Sequence, residues 1–326
     1  MTRSGPLGLA ALAALSLAAF ALSMRVGVAR ASLSAAIADP DGFDATILGA
    51  RAARVVLGAL AGGALASVGA AFQALFRNPL GDPYALGVSG GAALGATVAV
   101  LLGMGMVAVP IAAFAGALAS TFAVLAVARA SGRVGAESLL LAGMVSNAVS
   151  NAGLAFLRTS VTTSRSQETL TILLGSVVEE PWSRVGTVAA FSLAGMAVLF
   201  AQAKALNLLA LGADSAASLG VNVARAEKVV FLASSLVVAA VVSVCGLIPF
   251  VGLLVPHYVK AVTGSDHRRL LPGSFMGGAA LLMVADAATR AVFPLVGSEP
   301  PVGALTALVG GPFFLVVLKG LRDREG

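Results

Sequence analysis

The sequence predicts an all-α, polytopic membrane protein, with about ten transmembrane helices forming one transmembrane domain over residues 1–326. Three observations carry that class. Charged residues make up only 11% of the 326 positions while 58% are hydrophobic, and the mean hydropathy is +0.97. Apolar runs near the ~20 residues that a bilayer crossing requires follow one another along nearly the whole chain. Small residues recur at four-residue spacing, as in Gly58, Gly62 and Ala66 and in Gly87, Gly91 and Gly95. That spacing lets helix backbones touch in lipid, where no hydrophobic force drives them together.

The helices are expected at roughly 6–24, 47–76, 88–103, 108–128, 137–157, 185–203, 228–246, 249–262, 272–290 and 303–320. The first follows Arg3 and is read as an uncleaved span, because nine further helices come after it. The second ends where Asn78-Pro79, Gly81 and Asp82-Pro83 forbid a continuous helix. The third starts just beyond Gly87. The fourth is an unbroken apolar run. The fifth carries Ser146, Asn147, Ser150 and Asn151, with Asn147 and Asn151 on the face of Gly143. A short surface helix at about 166–176 leads to the sixth. A segment of small residues, about 205–227, precedes the seventh. The eighth is short and contains Pro256, the ninth carries Asp286 and Arg290, and the tenth closes the chain.

With the N-terminus inside, 13 of the 21 Lys and Arg residues fall on the inner face. The positive-inside rule therefore puts both termini in the cytoplasm. The same asymmetry explains the pI of 10.2 without nucleic acid, for which no soluble basic domain exists. The single Cys245 excludes a disulfide framework within the chain and reads as a small packing residue.

The stretch from Phe76 to Gly91 is polar, kinked by proline and rich in glycine between two long apolar runs. Irregular backbone at membrane depth survives only under protein cover or beside a water-filled path. Leu86, Gly87, Val88 and Ser89 are therefore expected to form a gate, together with residues from Arg133 to Glu137, at the inner ends of the helices they join. A weak internal repeat relates Ser67-Val-Gly and its break to Ser243-Val-Cys-Gly, Pro249-Phe250 and Pro256-His257. The two segments would run in opposite directions, as in transporters whose pathway lies between inverted repeats.

The chain carries Arg51-Ala-Ala-Arg54, Gly69-Ala-Ala-Phe-Gln73, Arg77-Asn-Pro-Leu-Gly-Asp-Pro83 and Leu86-Gly-Val-Ser89. It continues with Leu139-Leu-Leu-Ala-Gly143, Gly246-Leu-Ile-Pro-Phe-Val-Gly252, Val255-Pro-His257, Pro301-Val-Gly303 and Gly310-Gly-Pro-Phe-Phe314. In these motifs and their sequence it resembles the permease subunits of binding-protein-dependent ABC importers for iron chelates, haem and cobalamin. It departs from them at Lys260, Pro249 and Pro300, which bear on local backbone rather than on membership.

The resemblance implies a homodimer around a central path, two cytoplasmic ABC ATPase subunits below and a periplasmic or lipid-anchored binding protein above. It implies docking arginines at Arg51, Arg54 and Arg290, which would meet acidic residues of that protein. It implies coupling to the ATPases through Leu211, Gly212, Asp214, Leu219 and Gly220, in a segment capped by Asp214-Ser215. It also implies that the fifth helix lines the path with Ser146, Asn147, Ser150 and Asn151, the alternative being that these polar side chains bond neighbouring helices.

No G-x-x-x-x-G-K-[ST] loop is present, so ATP hydrolysis is assigned to partners, and Val88-Ser-Gly-Gly91 is read as a helix start rather than an ATPase signature. His257 and His267 lack companion ligands, and neither a metal nor a cofactor is expected. His257 reads as structural and His267 as part of a solvated inner loop. A gradient-driven transporter or channel is the alternative. It would want an intramembrane carboxylate relay, for which Asp286 alone is near a helix interior.

Overall fold

The computed structural model describes residues 4–29, 31–105, 107–130, 135–159 and 174–322. The described residues are helical throughout, with connecting turns and no strand. Helices α1 (Ser4–Arg25), α3 (Phe43–Leu75), α4 (Val88–Leu101), α5 (Ala108–Ala130) and α6 (Ala136–Thr159) form the first five spans. Helices α7 (Trp182–Ala201), α10 (Val223–Cys245), α11 (Val251–Thr263), α12 (His267–Val296) and α13 (Val302–Arg322) form the second five. Short helices α2 (Leu33–Ala38), α8 (Ala203–Leu209) and α9 (Ala213–Ser218) lie between them. The expected helix at about 166–176 falls mostly outside the described residues, as does Arg133.

Seven of the spans are long and apolar enough to cross a bilayer outright, while α4 and α11 have only 14 and 13 residues. At 1.5 Å per residue, those two reach about 20 Å and cannot cross the hydrocarbon alone. Each of these half-length helices follows one of the breaks.

The centre of the bundle is α3, whose 33 residues are buried from Arg51 onward on nearly every side. Small residues allow that burial. A Cβ at Gly62 would overlap the Gly278 carbonyl of α12, and one at Gly91 of α4 would overlap the Gly116 carbonyl of α5. Along α3 and α12, Arg54 meets Asp286, Gly62 meets Gly278 and Ser67 meets Leu271, so the two helices are antiparallel. Along α1 and α12, Gly5 meets Arg269 and Ser23 meets Arg290, so these two are parallel. These three helices thus run in the directions that the first, second and ninth of sequential spans require.

Pro256 stands inside α11 and withholds the N–H that would have bonded the Gly252 carbonyl. That carbonyl faces Gly69 on α3, where a Cβ would overlap it. Pro256 therefore suits a close contact between α11 and α3.

Candidate translocation pathway and its two ends

The first break does not stay at the inner ends of its helices, as the sequence suggested. Arg77 to Leu80 are exposed, then the chain turns back into the bundle, and Gly81, Pro83 and Leu86 to Ser89 are buried. Gly87 packs on Ser120 and Ser146, residues midway along α5 and α6. Its φ of +82° is the left-handed conformation that a side chain would strain, and it sets the direction in which α4 leaves. The physical reason for the re-entry is polar satisfaction. The Tyr84 carbonyl accepts from Asn147 Nδ2 at 2.9 Å and Ser89 Oγ at 3.2 Å, and the Gly87 carbonyl accepts from Ser120 Oγ at 2.8 Å.

These bonds place the fifth-span polar residues. Asn147 supports the broken backbone, Ser146 bonds Ser120 at 2.8 Å, and Ser150 is buried against Gly90. Only Asn151 is exposed among the four, on a face shared with exposed Leu141, Met144 and Val145.

The second break meets the first. Ile248 N–H donates to the Tyr84 hydroxyl at 3.0 Å, and Pro83 packs against Gly252. Phe250 takes φ +69°, a costly conformation for a bulky residue, and its ring lies on Gly310. The segment at 174–176 completes the junction, with Ser176 N–H bonded to the Cys245 carbonyl and Gly303 N–H to the Gly175 carbonyl. Between them lies a cleft of about 280 Å³, lined by Tyr84, Ser89, Leu247, Pro249, Gly303 and Ala307 among others. Cys245 is buried and free beside it, as a packing residue.

At one end of the bundle the three arginines expected at an exposed rim are buried. Arg51, Arg54 and Arg290 are only 7, 6 and 4% exposed. An unpaired buried guanidinium is strongly unfavourable, so each is held by acceptors. Arg54 Nη2 bonds Asp286 Oδ1 at 2.9 Å and Glu299 Oε2 at 2.7 Å, and Arg290 Nη2 lies 3.0 Å from Asp286 Oδ2. Arg51 bonds the carbonyls of Met24 and Ala29, and Arg290 bonds Ser23 and the Val26 carbonyl. Glu299 was not singled out in the sequence. Its pairing with Arg54 spans 245 positions and leaves no local signal.

At the other end, α8 and α9 form a compact projection. Leu206, Leu209 and Ala216 face the bundle, while Leu211 and Leu219 are 68 and 63% exposed. Asp214 does not cap α9, whose N-cap is Gly212. It sits in the first turn, where a negative charge suits the helix end, and is exposed. Gly212 lies beside the Arg77 guanidinium, and Gly220 ends the projection at φ +84°.

Asn207, which the sequence did not single out, ties α8 to α12. It donates to Asp266 Oδ1 at 2.7 Å and accepts from His267 N–H at 2.8 Å. His267 is accordingly buried at the first turn of α12, not solvated in a loop. The Asn207 bond, the Arg268 amide and the charges of Arg268 and Arg269 hold the Asp266 carboxyl below its ordinary range, against a smaller opposing effect of burial. Among the described residues no cluster of metal-ligating side chains is found.

The FecCD transport family model matches residues 9–320. The chain is 43% identical over 277 residues to the cobalamin import system permease protein BtuC of Halobacterium salinarum, covering 84% of this chain and 73% of that one. It is 38% identical over 284 residues to the hemin transport system permease protein HmuU of Yersinia pestis, covering 85% and 84%. A solved metal-chelate type ABC transporter in an inward-facing conformation superimposes with a TM-score of 0.84 at 29% identity, over 97% of this chain and 99% of that one. With ten spans among the described residues and its paired breaks, the chain belongs to the FecCD transport family, as a multi-pass transmembrane permease subunit of an ABC importer.

Proposed function

We propose that this chain is one half of a homodimeric import pathway for an iron chelate, haem or cobalamin. It sits in a bacterial cytoplasmic membrane with both termini in the cytoplasm, and it is energised by two ATPase subunits that carry the nucleotide chemistry. The observation that carries this reading is the unlike chemistry of the two ends of the bundle: a buried arginine cluster at one, an exposed leucine-tipped projection at the other. The relatives' cobalamin and hemin import support the substrate class.

The projection, through Leu211, Gly212, Asp214, Leu219 and Gly220, fits an ATPase cleft, where rigid contact passes motion between subunits. Asn207 carries that motion into α12. A periplasmic or lipid-anchored binding protein docks over Arg51, Arg54 and Arg290. The second copy faces α6, so that Asn151 and its neighbours line the path. Leu86 to Ser89 form the gate, braced by Asn147, Ser146 and Ser150.

Leu219→Asp tests the coupling assignment. The variant should insert and fold as the parent does, yet fail to retain the ATPase or to transport. Assembly and transport that both survive it would remove the projection from the coupling role.

A further inference from the structure

The arginine cluster is close to electrically balanced. Arg51, Arg54, Arg290, Glu299 and the exposed Glu179 surround a cavity of about 140 Å³, with Asp286 bonded beneath it. Three guanidiniums thus face three carboxylates, so a further carboxylate cannot simply be added at little cost. It can be exchanged for one already present, which preserves the charge.

The carboxylates are not equivalent. Asp286 is 1% exposed and shared between Arg54 and Arg290. The Glu299 side chain is 31% exposed, and among the described residues its bond is to Arg54 Nη2. Glu299 stands in the short connection between α12 and α13, next to a left-handed Gly297 at φ +74°. Arg54 also makes two bonds to Asp286 Oδ1, through Nε and Nη2, so Glu299 is not its sole anchor. Arg290 Nε and Asp286 Oδ2 are both buried without a hydrogen-bond partner among the described residues, so the internal pairing of the cluster is incomplete.

We propose that Glu299 is an exchangeable counter-carboxylate: it occupies on Arg54 the place of an acidic side chain of the docking protein, which displaces it when that protein binds. This rests on the docking reading above and gives it a direction. Glu299 then competes with capture, whereas Asp286 supports it by holding the guanidiniums in position.

The test uses the assembled transporter in nanodiscs. The probe is its own binding protein, obtained by pull-down with the wild-type complex. Glu299→Gln removes the charge and keeps the shape, and Glu299→Ala repeats the test should the amide disturb folding. Both should tighten capture, by about two- to fivefold for one partly exposed pair. Asp286→Asn should weaken it. Equal or weaker capture by folded Glu299→Gln and Glu299→Ala would overturn the exchange and leave docking intact. A wild-type complex that captures no binding protein would remove the docking reading itself, and the exchange with it.

Discussion

Ile248 donates its backbone N–H to the hydroxyl of Tyr84 at 3.0 Å, joining residues 164 positions apart. Each belongs to one of the two breaks in the bundle. The bond, together with Pro83 on Gly252, makes the two interruptions a single junction at the centre of the fold. Irregular backbone is stable there because its polar groups are matched by protein.

Tyr84→Phe removes the acceptor and keeps the ring. A part-buried N–H on Ile248 then loses its partner, at a cost of about 1–3 kcal/mol. Thermal unfolding in detergent should show a lower midpoint with unchanged helix content. An unaltered midpoint would mean that the junction does not depend on this bond.

Two glycines of α3 should respond in opposite directions. Gly69→Ala drives a methyl group into the Gly252 carbonyl, so α3 and α11 must separate. The expected loss is about 1–3 kcal/mol, the usual scale for overpacking. Gly49 has open space around it, and alanine there should be neutral or stabilising by up to about 1 kcal/mol, from helix propensity. Comparable melting points for the two variants would contradict the packing described for α3.

Asn207→Ala should lower the melting point near neutral pH by loosening α8 from α12. The Asp266 carboxyl is depressed in the folded state, chiefly by its bond from Asn207. Its contribution is therefore full above the ordinary carboxylate pKa of about 3.9 and lost as pH falls through the folded value. The difference between wild type and Asn207→Ala should be constant from neutral to mildly acidic pH and shrink below that range. A difference that grows on acidification would reverse the assignment.

The spans were legible because hydropathy is a local property. Nine lie within five residues of where composition and breaks put them, while the ninth, expected at 272–290, runs from His267 to Val296; Gly62, Gly91 and Gly95 sit at helix contacts as their spacing implied. The direction of the first break was not legible. Nothing near Asp82-Pro83 tells that the chain turns back toward Ser120 and Ser146, because the bonds that hold it come from α5 and α6. The arginines were legible as residues but not as a buried cluster. An i,i+4 pair such as Asp286 and Arg290 can be read from spacing, whereas Arg54 with Glu299 cannot. At Pro249, one of the departures from the resembled family, the left-handed turn falls on the following residue, Phe250.

The most direct measurement is substrate uptake into proteoliposomes containing this chain with and without its ATPase partner, offered haem, a ferric siderophore or cobalamin. Uptake of one of these should require the partner, ATP and the binding protein, and the purified chain alone should hydrolyse no ATP. Uptake by the chain alone under an imposed proton or sodium gradient, with no ATPase present, would contradict an ATP-energised import subunit and favour a gradient-driven carrier.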